Sequence, residues 1–231
     1  MNTVDLIIKA ISDYHSEIEA DPNGRYRSWE HCYKSFHDAR GSQNADTDYL
    51  SLMLGFYLAS WGMYRGSSFL LQKDYRVHIP VVEKILCEKY DPLFGVECVQ
   101  LRQQEEQDLL SSLISYMSEY YYAVRKSVKE TELKSKLSDT LITKVLMGAL
   151  GCVPAYDRYF VEGVRDQGIA SGLFSMKSLL SLADFYEANQ KRLEKSRKGL
   201  LAYDLPYPQM KLLDMGFWQI GYEEDIARGT R

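Results

Sequence analysis

YLSLMLGFYLASWGM, residues 49–63, is the stretch that decides the class of fold. Leu50, Leu52, Met53, Leu54, Phe56, Tyr57, Leu58 and Trp61 surround a helix of this segment on all sides, the pattern of a helix buried at the centre of a helical protein. Asp46 or Thr47 supplies its N-cap. At about fifteen residues, interrupted by Ser51, Gly55 and Ser60, it falls short of the roughly twenty a bilayer requires, so no membrane span is expected.

On both sides the apolar period stays near 3.6. Val4, Ile7, Ile8, Ile11 and Ile18 share one face and predict an amphipathic helix over 3–19, capped by Asn2 or Thr3 and broken by Asp21-Pro22-Asn23-Gly24. A short helix follows from Trp29 to about Asp38, and Phe69-Leu70-Leu71 resumes a helical turn. Pro80 suits the first turn of a helix over Val81 to Tyr90, where its missing amide costs nothing, and Asp91-Pro92 ends it. Further helices are expected over Glu97 to Val128, Leu137 to Leu150, Ala155 to Val164 and Ser175 to Lys198. The C-terminal segment, with Pro206, Pro208, Gly216 and Gly221, reads as less regular and pinned to the body by Phe217 and Trp218. Alternating β-branched runs are missing, so the expectation is all-α, a single compact multi-helix domain over residues 1–231.

Composition agrees with a globular chain. An apolar fraction of 45% beside 26% charged residues excludes disordered and collagen-like classes. Twenty-eight basic against 32 acidic residues give a net charge of −4, so any nucleic-acid or membrane-surface site must be local. The N-terminus lacks the basic and apolar regions of a signal peptide, and Cys32, Cys87, Cys98 and Cys152 stand far apart with no CxxC pair. Scattered thiols fit a reducing cytoplasm; no cofactor, iron–sulfur cluster or structural metal is expected.

Two basic runs stand out against the acidic whole. Arg125, Lys126, Lys129, Lys134 and Lys136 oppose only Glu130 and Glu132, and Lys191, Arg192, Lys195, Arg197 and Lys198 oppose only Glu194. Either is a solvated helix face or, if folding aligns them, a phosphate-binding surface. Arg65, Ser67 and Ser68 at a helix start would offer amides, hydroxyls and a guanidinium to an anion. His31 and His37, six apart with Arg25 and Arg27 upstream, resemble the arginine–histidine spacing of some helical ribonucleases.

The stretch LITKVLMGALGCVPAYDRYFVEGVR, Leu141 to Arg165, resembles the catalytic segment of the helix-hairpin-helix DNA glycosylase superfamily. There an apolar helix ends at a small residue, a Val-Pro-like extended turn follows, and an aspartate opens the next helix. The matching residues are Leu141 to Leu150, Gly151-Cys152-Val153-Pro154 and Asp157. The resemblance implies a DNA-binding helical fold in which Asp157, favoured as an anion by the helix dipole, stabilises an oxocarbenium-like sugar at an extruded nucleotide. Tyr156 and Tyr159 would then serve as stacking surfaces and Arg158 as a phosphate or carboxylate partner. The family's Gly-x-Gly hairpin would fall near Lys134 to Thr140, KSKLSDT, which has no glycine. Its lyase-branch lysine falls near Thr140, with Lys144 about one turn later, so water is the expected nucleophile and the reaction monofunctional base excision. Two function classes follow: a nucleic-acid-binding or degenerate DNA glycosylase-like protein, and a non-catalytic protein–protein interaction module.

Overall fold

The computed structural model describes residues 2–42, 44–128 and 138–229. Ten α-helices account for most of them. In chain order they are α1 (Thr3–Ala20), α2 (Arg27–Ala39), α3 (Thr47–Ser60), α4 (Ile79–Ile85), α5 (Gln104–Val128), α6 (Asp139–Ala149), α7 (Arg158–Asp166), α8 (Met176–Ala188), α9 (Gln190–Arg197) and α10 (Gln209–Ala227). Short 3-10 turns cover 69–72, 75–78, 88–93 and 100–102. Among the described residues the one sheet is a two-residue antiparallel pairing of β1 (Leu201–Ala202) with β2 (Leu205–Pro206). The fold is all-α, as the apolar period implied, and its buried side chains join into one core cluster from Val4 to Ile220.

Local chemistry sets half of the ten helix starts. Asn2, Asp46, Ser138, Asp157 and Ser175 each accept an amide of the following first turn, filling an acceptor role that the helix itself cannot supply. Boundaries shift where a cap or turn intervenes. The helix expected over Glu97 to Val128 begins at Gln104, because Gln103 is extended after the turn at 100–102. The one expected over Val81 to Tyr90 stops at Ile85, and Pro92 lies inside a 3-10 turn. Asn189 divides Ser175 to Lys198 into α8 and α9.

Two expectations need correcting on packing grounds. Helix α3 is not buried on all sides: Tyr49, Leu52 and Phe56 are 49%, 46% and 52% exposed. They share one stripe, which α2, α4, α6 and the 75–78 turn leave uncovered. The C-terminal segment, in turn, is the regular 19-residue helix α10, buried continuously over 207–221. It packs chiefly against α7 and α1. Its glycines are points of close approach, not breaks. A Cβ added at Gly221 would stand 2.1 Å from the Tyr159 carbonyl oxygen, and one at Gly216 would stand 2.7 Å from Ile7 Cγ2.

Beside α3, the fully buried His78 links two tyrosines: Nε2 lies 2.8 Å from Tyr64 Oη and Nδ1 lies 2.7 Å from Tyr121 Oη. Burial holds this imidazole neutral, with a pKa pushed down to about 4. Because the folded value lies below the unfolded one, the unfolded chain binds the extra proton between roughly pH 6.5 and pH 4, and stability falls as pH falls through that window. About 2 kcal/mol should be lost between pH 7 and pH 5, lowering Tm by roughly 4–8 °C. Calorimetry of the wild type and His78→Gln checks this: the variant should lose this component of the pH dependence, and an equal acid-side slope in both would disprove the assignment.

Candidate functional site

A cleft of about 500 Å³ opens where the end of α3, the middle of α6, the start of α7 and the centre of α10 converge. Its wall and floor carry Arg25, Trp61, Arg65, Lys144, Asp157, Arg158, Tyr159 and Trp218. That volume is within the range of sites that enclose a small ligand or a single substrate group.

The floor is built by α6 and the segment that follows it. Gly151, at φ +65°, lets the chain turn sharply after α6; a Cβ there would stand 2.5 Å from Pro208 Cγ. The chain then runs back antiparallel to α6, tied by the Tyr156 amide donating to Thr143 Oγ1 at 3.0 Å and by Thr140 Oγ1 donating to the Tyr156 carbonyl at 2.9 Å. Helix α10 adds a second tie: buried Asp214 accepts the Ala155 amide at 2.9 Å while its other oxygen pairs with buried Lys211, also at 2.9 Å. These bonds deliver Asp157 to the N-cap of α7, where it accepts the Phe160 amide at 3.2 Å.

Held there, Asp157 Oδ2 lies 3.1 Å from Lys144 Nζ, with the two side chains 16% and 4% exposed. Lys144 also donates to the Trp61 carbonyl at 3.2 Å, and its ammonium stands 5.4 Å from the Trp61 ring centroid. A second cation near that ring is Arg25, whose Cζ is 5.2 Å from the centroid. Trp61 meets Trp218 edge to face at 5.7 Å, and Trp218 meets Tyr159 at 5.3 Å, so three rings line one cleft. The indole N–H groups of Trp61 and Trp218 are buried and have no hydrogen-bond partner among the described residues.

The residues singled out from sequence are only partly brought together. Asp157, Arg158, Tyr159 and Arg65 reach the cleft. Arg158 is held by two carboxylates, Asp225 and Glu162. Tyr156 is no stacking surface: it is buried, bonds Ser178 Oγ at 2.7 Å and packs against Phe160 and Phe174. Ser68 caps the turn at 69–72 by accepting the Leu70 amide, and Ser67 is exposed without lining the cleft. Lys191, Arg192 and Lys195 line a different depression with Ile8 and Ser196, where Arg192 pairs with Asp5. Arg125 and Lys126 lie in the last turn of α5, and Lys129, Lys134 and Lys136 fall outside the described residues.

His31 and His37 do not converge, because six residues separate them by roughly 120° around a helix. His31 bonds Tyr203 Oη at 2.6 Å, His37 lies beside Asp38, Arg27 pairs with Glu30 and Arg25 turns to Trp61.

Sequence reasoning missed Lys144, Trp61 and Trp218. The available signal for Lys144 was a lone cation inside the apolar run LITKVLMGAL. Spacing along the chain set it one turn late, but the turn at 151–157 brings Asp157 back alongside it.

Among the described residues, no group of three or more His, Cys, Asp or Glu side chains is placed to hold a metal ion, and no helix is long and apolar enough to cross a membrane. Compared with protein-family models, curated proteins and solved structures, the chain matches none of them.

Proposed function

We propose that this is a nucleic-acid-binding protein whose cleft receives one extruded nucleotide and carries glycosylase-like chemistry on Lys144 and Asp157. The observation that carries this reading is the 3.1 Å ammonium–carboxylate pair on the floor of a cleft lined by three aromatic rings. Tyr159 and Trp61, both partly exposed, supply π-faces for a flat base, and Asp157 stands 3.1 Å from the Lys144 ammonium as the acceptor of its proton. The lysine changes the expected nucleophile from water to an amine. Once Asp157 has taken its proton, Lys144 Nζ bonds to the sugar C1′ as the glycosidic C–N bond breaks, and the base leaves with the bonding pair and picks up a proton. Nζ then loses a proton and its lone pair forms the C1′=N bond as the C1′–O4′ bond breaks, O4′ taking up a proton, which leaves the opened sugar as an imine on Lys144.

Borohydride reduces such an imine to a stable amine. The test is incubation with oligonucleotides bearing damaged or abasic sites, followed by borohydride and denaturing electrophoresis. A covalent adduct formed by the wild type and lost in Lys144→Gln is the expected result. Base release without an adduct would return water to the role of nucleophile. The absence of both base release and salt-sensitive binding would sink the reading.

A second reading, an interaction module without chemistry, is favoured by the exposed stripe of Tyr49, Leu52 and Phe56 on α3, whose rings and methyl groups face solvent. It calls for no ligand in the cleft, so a cleft that binds no nucleic acid would leave this reading in place.

A further inference from the structure

The cleft's lining holds four cations, Arg25, Arg65, Lys144 and Arg158, against one carboxylate, Asp157, in a chain whose net charge is −4. Two of the four already have carboxylate partners: Lys144 pairs with Asp157, and Arg158 with Asp225 and Glu162. Arg25 and Arg65 have none among the described residues, and both are exposed. They come from different parts of the chain, Arg25 from the turn before α2 and Arg65 from the turn after α3.

Each is positioned by its surroundings. Arg25 lies over two rings, 5.4 Å from the Tyr26 centroid and 5.2 Å from that of Trp61, which fixes the plane of a long side chain. Arg65 folds back across Gly62: a Cβ at that glycine, whose φ is +76°, would stand 2.7 Å from Arg65 Nε and 2.9 Å from Cζ. Glycine at 62 therefore leaves the space that the guanidinium occupies. A planar, permanently charged fork with no internal carboxylate suits a phosphodiester oxygen, which it can grip through two N–H donors.

Resting on the nucleotide reading above, we propose that Arg25 and Arg65 grip the backbone phosphates flanking the extruded nucleotide. The turns flanking α2 and α3 would thus anchor the strand, while Lys144 of α6 and Asp157 at the head of α7 act on the sugar.

The experiment is fluorescence anisotropy with a labelled oligonucleotide carrying a tetrahydrofuran abasic analogue, titrated from about 50 to about 200 mM salt. The proteins are wild type, Arg25→Gln/Arg65→Gln and Lys191→Gln/Lys195→Gln. Both arginines are surface residues, so the fold should survive, and circular dichroism checks that it does. The arginine double variant should lose roughly 1.4–1.8 from the slope of log K against log salt, two phosphate contacts at about 0.7–0.9 each. The lysine double variant should keep the wild-type slope. Wild-type binding with an unchanged slope in the arginine variant, or a slope lost only in the lysine variant, overturns this inference and leaves the nucleotide reading standing. No wild-type binding at low salt overturns both. Slope loss in the arginine variant supports the phosphate grip even where no borohydride adduct forms.

Discussion

Asp157→Asn should lower single-turnover base release by about 10²–10³-fold on the reading proposed above, within the usual cost of losing a general base. The amide keeps the shape of the carboxylate and can still accept the Phe160 amide, so α7 retains its N-cap. What disappears is the negative charge 3.1 Å from Lys144 Nζ, and with it the proposed acceptor for the ammonium proton. Lys144 keeps the Trp61 carbonyl and ring, which limits the cost of leaving a buried cation without its counter-ion. Thermal melts run beside the kinetics separate the two effects. A variant that melts near the wild type yet turns over slowly supports a chemical role; unchanged turnover removes Asp157 from the mechanism.

Gly163→Ala should destabilise the fold by about 3–5 kcal/mol, a Tm loss of roughly 6–20 °C for a chain of this size. Two effects oppose each other. Alanine in a helix interior is favoured over glycine by about 1 kcal/mol. The added Cβ, however, would stand 2.0 Å from the Phe217 carbonyl oxygen and 3.2 Å from the Gly221 amide nitrogen. Those are backbone atoms of α10, which cannot swing aside as a side-chain end can. The helices would have to separate by more than an ångström along their tightest contact, opening space around Phe160, Phe217 and Val164. The clash therefore outweighs propensity. The same contact positions Trp218 and Asp214, which lie on α10 beside Phe217, so the cleft should loosen with the fold. Denaturant and thermal unfolding of Gly163→Ala test this, and a Tm equal to or above the wild type would show that the two backbones are not in close contact.

Much of the architecture was legible along the chain because a helix is a local object. Val4, Ile7, Ile11 and Ile18 fall on one face whatever α1 packs against, and Asn2 and Asp46 each cap their own next turn. Glycine is where that logic broke. In α10, Gly216 and Gly221 read as breaks because glycine lowers helix propensity, yet close packing against α1 and α7 requires small residues at those two points. Likewise the apolar residues of α3 mark a helix, but which side stays open at Tyr49, Leu52 and Phe56 depends on which neighbours arrive.

By itself the sequence determined the helical class, the starts of α1 and α3, and Asp157 as the carboxylate at the head of α7. Only the tertiary structure decided what stands opposite it. Lys144 meets the Trp61 carbonyl across 83 residues and Ala155 meets Asp214 across 59, contacts that no spacing rule within one helix can anticipate. Arg25 and Arg65 reach one cleft from two separate turns, while Lys191 and Lys195, the more conspicuous cations in the sequence, line another depression. The physical reason is range: caps and periodic burial act over one or two helical turns, whereas a cleft is made by whichever distant surfaces the core draws together.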